Sequence, residues 1–374
     1  LANGGQISVS HVEPWAGPHM PAQLLSWLGR ETSPLLWRLR LDPEQWRWGL
    51  HFLRQCTALR AASNTEALLR LGLHSREALH ALRRELSLEY DQLSRGILRI
   101  YTNERELERA SDLANVYAEL GCKREHKTTA ECLAIEPSLR DSAIPIVGGL
   151  FAPDDESGDA CKFAQQLAAH CAERGVSFRY GASIDALETS DARIAGAVLK
   201  GGERVRGDAY VVALGSYTPL LLKQVGLRAM IYPAKGYSLT IPLTDDETAP
   251  VVSLTDDEHR IVLSRLGNFL RVAGTAEFTG YDTSLNRARC DGIAARIRVL
   301  FPGLSQLDSA TRWAGLRPAT PGNVPLIGRT RYPNLYLNSG HGTLGWTLAC
   351  GSGQLLADIV NRRAPALDPA PYQL

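Results

Sequence analysis

The sequence predicts an α/β protein with two parts, a doubly wound layer containing parallel strands and a second domain built on a largely antiparallel sheet and helices. The continuous apolar run 209–216, which ends in Gly and Ser, is typical of a buried parallel strand whose carboxyl end meets a ligand. Several alternating runs between 231 and 280, separated by Pro, Asp and Gly, indicate antiparallel strands. A glycine-rich turn at 339–345 opens a last helix, from 346 to about 361.

Size and charge limit the class of protein. The chain has 374 residues, enough for two domains of ordinary size. Its 41 Lys and Arg residues nearly balance its 40 Asp and Glu residues, which leaves a formal charge of +1. A nucleic-acid-binding surface usually needs a basic excess, so this balance gives no sign of one.

The cysteines and the chain start bear on the compartment. The seven cysteines are odd in number and form no CxxC pair, so the sequence predicts neither a disulfide framework nor a metal site. We therefore expect a reducing, cytoplasmic environment. No apolar run is long enough for a membrane-spanning helix, and no signal peptide is recognisable. The first residues, 1–8, have the character of a loop that follows another segment, so we interpret the sequence as a fragment.

Tryptophan is concentrated near the N-terminus. Residues 14–62 contain five of the seven tryptophans, with helices predicted near 21–29 and 43–60. One interpretation is that these rings pack a helical cap onto the body of the protein. The other is a peripheral patch that rests on a membrane, because Trp and Arg favour the interface.

The remaining periodicity predicts alternating helices and strands. Further helices are predicted at 64–86, 103–120, 161–174 and 286–300, with a short one that must stop at Glu136-Pro137. Strands are predicted at 97–101, 176–180, 184–187, 194–199, 204–206, 237–241, 260–264, 269–273 and 335–338.

The C-terminal glycines indicate a ligand. Gly342, Gly345, Gly351 and Gly353 lie in or beside the last helix, where each interior glycine costs about 1 kcal/mol relative to alanine. They therefore imply close approach of the backbone to a ligand or to another element. A glycine turn at a helix N-terminus offers free N–H groups to an anionic or electron-rich edge. The alternative is a C-terminal helix that simply packs on a sheet.

Three C-terminal segments form long motifs, namely Gly315–Pro318, Asn338–Thr347 and Ala349–Asp358. Together with Asn3–Ser8, Ala213–Tyr217 and Pro233–Pro242, they resemble the D-amino-acid oxidase superfamily and, within it, the bacterial D-amino-acid dehydrogenase branch. The resemblance covers essentially the whole chain.

The resemblance implies an FAD-binding, Rossmann-like domain made of 1–20, 150–225 and 310–374, and a substrate or cap domain made of 21–149 and 226–309. Family members begin with a strand, a GxGxxG turn and a helix, and this unit is missing from the N-terminus here. The resemblance therefore implies that about 40 residues of a first βαβ segment would precede Leu1 in a complete protein.

The resemblance also implies site residues. Arg317 is similar to the arginine that holds the substrate carboxylate in a bidentate pair. Tyr237 either faces the substrate or packs in the core. His341 has glycine neighbours, which favours a hydrogen-bonded loop role over catalysis as a base. Residues expected to contact the FAD are Gly342, Thr343, Leu344 and Gly345, with Gln6 and Ser8 at the ribityl or ring edge and Val176 and Gly215 on the adenosine side.

The expected reaction is oxidative deamination of a D-amino acid, with hydride transfer from Cα to the flavin and hydrolysis of the imino acid to a 2-oxo acid and ammonia. The dehydrogenase branch passes electrons to a quinone or respiratory acceptor, which favours peripheral contact at the inner face of the bacterial inner membrane. Two alternatives stay open. One is a glycine, sarcosine or proline oxidase that produces hydrogen peroxide, and the other is an inactive remnant or a subunit that needs a partner to supply the nucleotide-binding segment.

Overall fold

The computed structural model describes residues 3–27, 29–31, 33–112, 114–244 and 249–374. Its helices are α1 (Met20–Trp27), α2 (Pro43–Gln55), α3 (Ala58–Leu86), α4 (Glu104–Asp112), α5 (Ala114–Glu119), α6 (Thr129–Ile135), α7 (Ala160–Glu173), α8 (Thr218–Gln224), α9 (Arg287–Leu300) and α10 (Gly345–Val360). Its strands are β1 (Gln6–Ile7), β2 (Leu35–Trp37), β3 (Ile97–Tyr101), β4 (Glu125–Thr128), β5 (Gly148–Ala152), β6 (Glu156–Ser157), β7 (Ile184–Ser190), β8 (Arg193–Leu199), β9 (Arg204–Val205), β10 (Tyr210–Val212), β11 (Tyr232–Pro242), β12 (Ser253–Asp256), β13 (Ile261–Leu266), β14 (Phe269–Phe278), β15 (Thr311–Ala319), β16 (Leu326–Arg329) and β17 (Leu335–Ser339).

The largest sheet has the strand order β15-β11-β14-β13-β12-β3-β5-β4, with β2 beside β14. Most of its neighbours are antiparallel, as predicted for 231–280. The sequence did not predict β15, because Gly315 and Pro318 argue against a strand. Pro318 is tolerated because β15 lies at the edge of this sheet, where a missing N–H leaves no ladder bond unmade. The predicted domain boundary at 310 separates β15 from the strand with which it pairs, and the division into domains stays a prediction.

The two faces of the β11–β15 ladder have different roles. Directly opposed residues of an antiparallel pair share a face, and Tyr237 is opposite Ala314 whereas Gly236 is opposite Gly315. On one face, the core face, the buried side chains of Tyr237, Leu239 and Ile241 join one hydrophobic cluster with residues of α9. The other face, the site face, carries Ala234, Gly236, Ser238, Trp313, Gly315 and Arg317.

A second sheet has the order β10-β17-β16, with β10 parallel to β17 and β16 antiparallel to it. The parallel pairing was predicted, but the expected complete burial of 209–216 is wrong. Within the described chain no strand pairs with the outer edge of β10, and Val211 is 48% exposed. The strand predicted at 176–180 is also wrong, because the described backbone there is irregular, with the Phe178 ring stacked on Tyr180 at the surface.

The last helix packs closely on α3. A Cβ added to Gly351 of α10 would lie 2.8 Å from the Cα of Ser75 in α3, a separation that real side chains do not adopt. Gly351 is therefore required for helix–helix approach and not for a ligand.

The break between the helices predicted near 43–60 and 64–86 lies earlier in the chain than predicted. Cys56 and Thr57 interrupt them, and the Thr57 hydroxyl accepts a hydrogen bond from the N–H of Arg60 to begin α3.

The N-terminal tryptophans mainly form a core. Trp37 and Trp48 both lie 4.8 Å, centroid to centroid, from the ring of Phe278, and Trp48 is buried. This packing favours the cap interpretation for these rings. Trp46 differs, since half of its surface is exposed. In the parts of the chain described above, no helix has both the length and the apolar character required to cross a bilayer.

Candidate active site

The candidate site lies where the two sheets meet. Ala319, the last residue of β15, forms a β-bridge with His341, which follows β17. The Ser339 hydroxyl at the end of β17 donates a hydrogen bond to the carbonyl of Gly215, and a Cβ on Gly215 would lie 3.8 Å from Pro318. Residues that are distant in sequence thus meet at the carboxyl ends of parallel strands, where ligands bind in open α/β sheets.

The turn before α10 leaves room for a ligand. Gly342 has a φ of +54°, and a Cβ placed there would meet only the Asn323 amide nitrogen, at 3.6 Å. A Cβ on Gly345 would meet only the Cβ of His341, at 3.8 Å. No side chain caps the N-terminus of this 16-residue helix in the described structure. This turn fits the electron-rich edge of a flavin.

The four predicted flavin residues of this turn differ in exposure. Thr343 and Gly345 are exposed and Gly342 is partly exposed, as expected of residues that border an open space. Leu344 is buried in the cluster between α10 and α3, so only its backbone could reach a ligand. Gly340, Gly342 and Gly345 also have GxGxxG spacing between a strand and a helix, a feature not recognised from the sequence. The spacing alone is a weak signal, because the fingerprint also needs an acidic residue after a following strand.

Two further predicted flavin residues use their side chains elsewhere. The Gln6 amide nitrogen donates to Ser253, Leu254 and Thr255 of β12 at 3.0–3.1 Å. The Ser8 hydroxyl bonds to Asp155, and its N–H bonds to the Thr347 hydroxyl in the first turn of α10. Contact of this segment with a flavin would therefore use its backbone.

Asp155 is a residue that sequence reasoning missed. Its buried carboxylate accepts hydrogen bonds from the backbone N–H groups of Val9 and Ser10, at 3.0 Å and 3.2 Å, as well as from the Ser8 hydroxyl. Burial raises the pKa of this carboxyl group, although these donors oppose the shift. Asp155 fixes the turn that follows β1. Its position in a turn-rich stretch gave no signal of this role.

Arg317 extends from β15 on the site face. Its Nη1 donates to the carbonyl of Thr275 at 2.8 Å. Burial and the nearby Arg289 lower the pKa of the Arg317 guanidinium to about 10. In the described chain no carboxylate forms an ion pair with Arg317, although a desolvated cation normally has an anionic partner. The arrangement is suited to an anion that arrives from outside the protein.

The positions of Tyr237 and His341 favour structural roles over catalytic ones. Tyr237 is on the core face, its hydroxyl donates to Glu277, and burial raises its pKa. This favours core packing over substrate contact. The Nε2 of His341 lies 3.0 Å from the Ser352 hydroxyl, and burial lowers the pKa of His341 to about 4. A histidine with this pKa is neutral near pH 7, which favours a loop role.

Val176 follows α7, and its N–H bonds to the Cys171 carbonyl. It is 48% exposed, and the predicted adenosine contact of Val176 stays a prediction. Across the described ranges, no group of three or more His, Cys, Asp or Glu residues is arranged to hold a metal ion.

Solved structures show which proteins share this fold. Glycine oxidase from Geobacillus kaustophilus matches with a TM-score of 0.72 and 25% identity, covering 82% of each chain. L-proline dehydrogenase from P. horikoshii matches with the same TM-score of 0.72 and 18% identity, covering 83% of each chain. These matches confirm the predicted combination of an FAD-binding domain with a substrate domain.

Curated relatives are more similar in sequence. A D-amino acid dehydrogenase of Dechloromonas aromatica is 53% identical over 369 residues, covering 98% of this chain and 88% of the relative. That of Paramagnetospirillum magneticum is 50% identical over 368 residues, covering 98% and 87%. The interpretation as a fragment is not supported by these matches. Residues 2–359 also match the family described as DAO, FAD dependent oxidoreductase, and the chain therefore belongs to this family of FAD-dependent oxidoreductases.

Proposed function

We propose that the protein oxidises D-amino acids to 2-oxo acids and ammonia. The observation that carries this proposal is the desolvated guanidinium of Arg317, which has no ion-pair partner among the described residues. Its strand is joined at Ala319 to His341, the residue before the glycine turn of α10. Relatives named D-amino acid dehydrogenase, at 53% and 50% identity, support the substrate class. The glycine oxidase is more distant, at 25% identity.

In this proposal Arg317 binds the substrate carboxylate through two parallel N–H···O bonds and so orients the Cα–H. FAD, when bound, supplies the acceptor for the hydride from Cα. Gly342, Thr343 and Gly345 would hold its electron-rich edge with backbone N–H groups. His341 is neutral and takes no proton from the substrate. Water then hydrolyses the imino acid.

Substitution of Arg317 tests the proposal. Loss of a hydrogen-bonded ion pair costs about 2–5 kcal/mol, so Arg317→Leu should lower kcat/KM for D-alanine by about 30-fold or more. Arg317→Lys should recover only part of this loss, because it keeps the charge but not the planar fork. The matched control is Arg312→Leu on the same strand, since Arg312 pairs with exposed Asp291. Full efficiency in Arg317→Leu would place the carboxylate anchor elsewhere.

The electron acceptor in this proposal is a quinone or another respiratory carrier, reached by peripheral contact with the inner face of the bacterial inner membrane. An exposed apolar surface supports this. The α2 surface, as we define it, consists of exposed Leu39, Leu41, Trp46, Leu50 and Leu53. The Trp46 indole bonds to the Arg40 carbonyl, which holds the loop against the helix. Arg40 and Arg54 add positive charge here, suited to anionic headgroups, whereas Arg47 is paired with Glu44.

Sedimentation with vesicles tests the membrane contact. Trp46→Ser combined with Leu50→Ser should reduce co-sedimentation with phosphatidylglycerol vesicles and leave dye-linked activity unchanged. Phe269→Ser combined with Leu285→Ser is the control, because these residues are similarly exposed on other elements. Equal loss in both double variants would argue against a specific surface.

Hydrogen peroxide formed in proportion to substrate would favour an oxidase over the dehydrogenase.

A further inference from the structure

Strand β14 changes its pairing partner at Thr275. Up to Gly274 the strand pairs with β13, and from Ala276 it pairs with β2. On its other side, the register with β11 shifts here, so that two residues of β14 lie opposite one of β11. Thr275 has a φ of +55°, which is strained for a β-branched residue. Its carbonyl accepts a hydrogen bond from Nη1 of Arg317.

Gly236 is the residue of β11 opposite this bulge. A Cβ added to it would lie 2.2 Å from Cζ and Nη1 of Arg317 and 2.3 Å from Nη2. The guanidinium therefore lies directly over the Gly236 backbone as it crosses from β15 towards β14. The φ of Gly236 is not positive, so the glycine is required for space and not for backbone conformation.

Arg289 holds the bulge from the core face. This buried side chain in the first turn of α9 donates to the carbonyls of Glu31 and Ser33, at 2.7 Å and 2.8 Å. It also donates to the carbonyl of Ala276, at 3.0 Å. These bonds join the segment that leads into β2 to the strand that it pairs with. They fix the backbone at Ala276, directly after Thr275, and thereby restrict the position of the Thr275 carbonyl.

We infer that Gly236 is a positioning residue, which with the Thr275 carbonyl fixes the plane and height of the Arg317 guanidinium for a substrate carboxylate. Nη1 is held by Thr275, while Nε and Nη2 have no acceptor in the part of the protein that the structure describes. The Nε–Nη2 edge is therefore the edge that receives the carboxylate side-on. The inference rests on the proposed function, in which Arg317 is the carboxylate anchor.

The test is Gly236→Ala in the FAD-loaded protein. The added methyl displaces the guanidinium, so KM for D-alanine should rise by about 10-fold or more while kcat changes by less than about 3-fold. Propionate is a carboxylate without the amino group, and its inhibition constant should rise by the same factor as KM. Gly303→Ala, where the added Cβ would meet no atom within 4 Å, is the matched control and should leave both constants unchanged. Flavin absorbance and thermal unfolding establish that each variant is folded.

A double-mutant cycle separates positioning from a general packing effect. In an Arg317→Ala background, Gly236→Ala should change KM by less than about 2-fold, because it acts only through the missing guanidinium. Full additivity, or an unchanged KM in Gly236→Ala, overturns the inference while leaving the anchor in place. An unchanged KM in Arg317→Ala alone overturns the proposed anchor instead.

Thr275→Gly is the second variant, used if Gly236→Ala does not fold. Glycine relieves the strain of the positive φ and keeps the carbonyl at position 275. It also makes the backbone more flexible, so the direction of this carbonyl is less fixed. Propionate binding should weaken by about 3-fold to 10-fold, and the weakening should disappear in an Arg317→Ala background. Unchanged propionate binding by this variant overturns the inference.

Discussion

The two faces of the β11–β15 ladder make different use of neighbouring residues. Gly236 and Tyr237 are adjacent in the chain, yet Gly236 underlies the Arg317 guanidinium and Tyr237 is buried beside α9. On the core face β11 carries the large side chains of Tyr237, Leu239 and Ile241, together with buried Lys235, which forms an ion pair with Asp282. On the site face the same strands carry glycine, serine and a desolvated cation.

This difference separates stability from function on a single pair of strands. The core face buries apolar area, which is the main favourable contribution to folding. The site face holds a partly buried charge without an ion-pair partner among the described residues, which costs folding free energy until a ligand binds. Substitutions on the core face should therefore change mainly the free energy of unfolding. Substitutions on the site face should change mainly the affinity for substrate.

The largest expected effect on stability is on the core face. Leu239 is buried in the cluster with α9, so Leu239→Ala should lower the free energy of unfolding by about 2–5 kcal/mol. KM for D-alanine should stay within about 2-fold of the parent. Urea unfolding and steady-state kinetics measure the two quantities. Thr240→Ala, the next residue and half-buried on the other face, is the control. A large KM change in Leu239→Ala would show that the faces are coupled.

An intermediate effect of opposite sign is expected on the site face. The pKa of Arg317 is lowered in the folded protein, so folding disfavours its charged form. Arg317→Met should therefore stabilise the protein without substrate, by about 1 kcal/mol at pH 7, because it removes the desolvated cation. The gain should be present below pH 10 and shrink as pH rises through about 10, where the parent arginine loses its proton in the folded state. Thermal unfolding between pH 7 and pH 11 measures this, and a destabilised variant would contradict it.

The sequence pattern predicted the elements of the core face well, for a physical reason. In strands β11, β13 and β14 apolar residues alternate with polar or small ones, and this alternation is visible in the chain although the folded strands bury residues of both sets. It did not predict β15, because Gly315 and Pro318 are unfavourable in strands and are tolerated only through edge position and local packing. The strand predicted at 176–180 failed for the opposite reason, since apolar β-forming residues do not form a strand without a partner.

The candidate site was predictable only in part. The resemblance predicted Arg317 and the glycine turn as site residues, and this stays a prediction; the structure shows that the strand of Arg317 is joined to the residue before the turn by the bridge between Ala319 and His341. Local sequence could not reveal the bulge at Thr275, because it depends on β14 exchanging β13 for β2, a strand more than 200 residues earlier in the chain. The role of Asp155 is likewise set by long-range hydrogen bonds to Val9 and Ser10.

The smallest expected effect concerns His341, which lies where the site face meets the second sheet. Burial lowers its pKa to about 4, so the ring is neutral throughout the range pH 5–9 and cannot contribute an ionisation to catalysis there. His341→Gln keeps a side chain able to bond to Ser352, and it should change kcat by less than about 3-fold and leave the shape of the kcat profile over this range unaltered. Ser352→Ala, which removes the hydrogen-bond partner of the ring, is the matched control and should behave in the same way. A kcat lower by about 100-fold in His341→Gln, together with loss of a pH-dependent limb that Ser352→Ala retains, would instead identify His341 as an acid–base group, since such groups contribute about 10²–10⁴-fold.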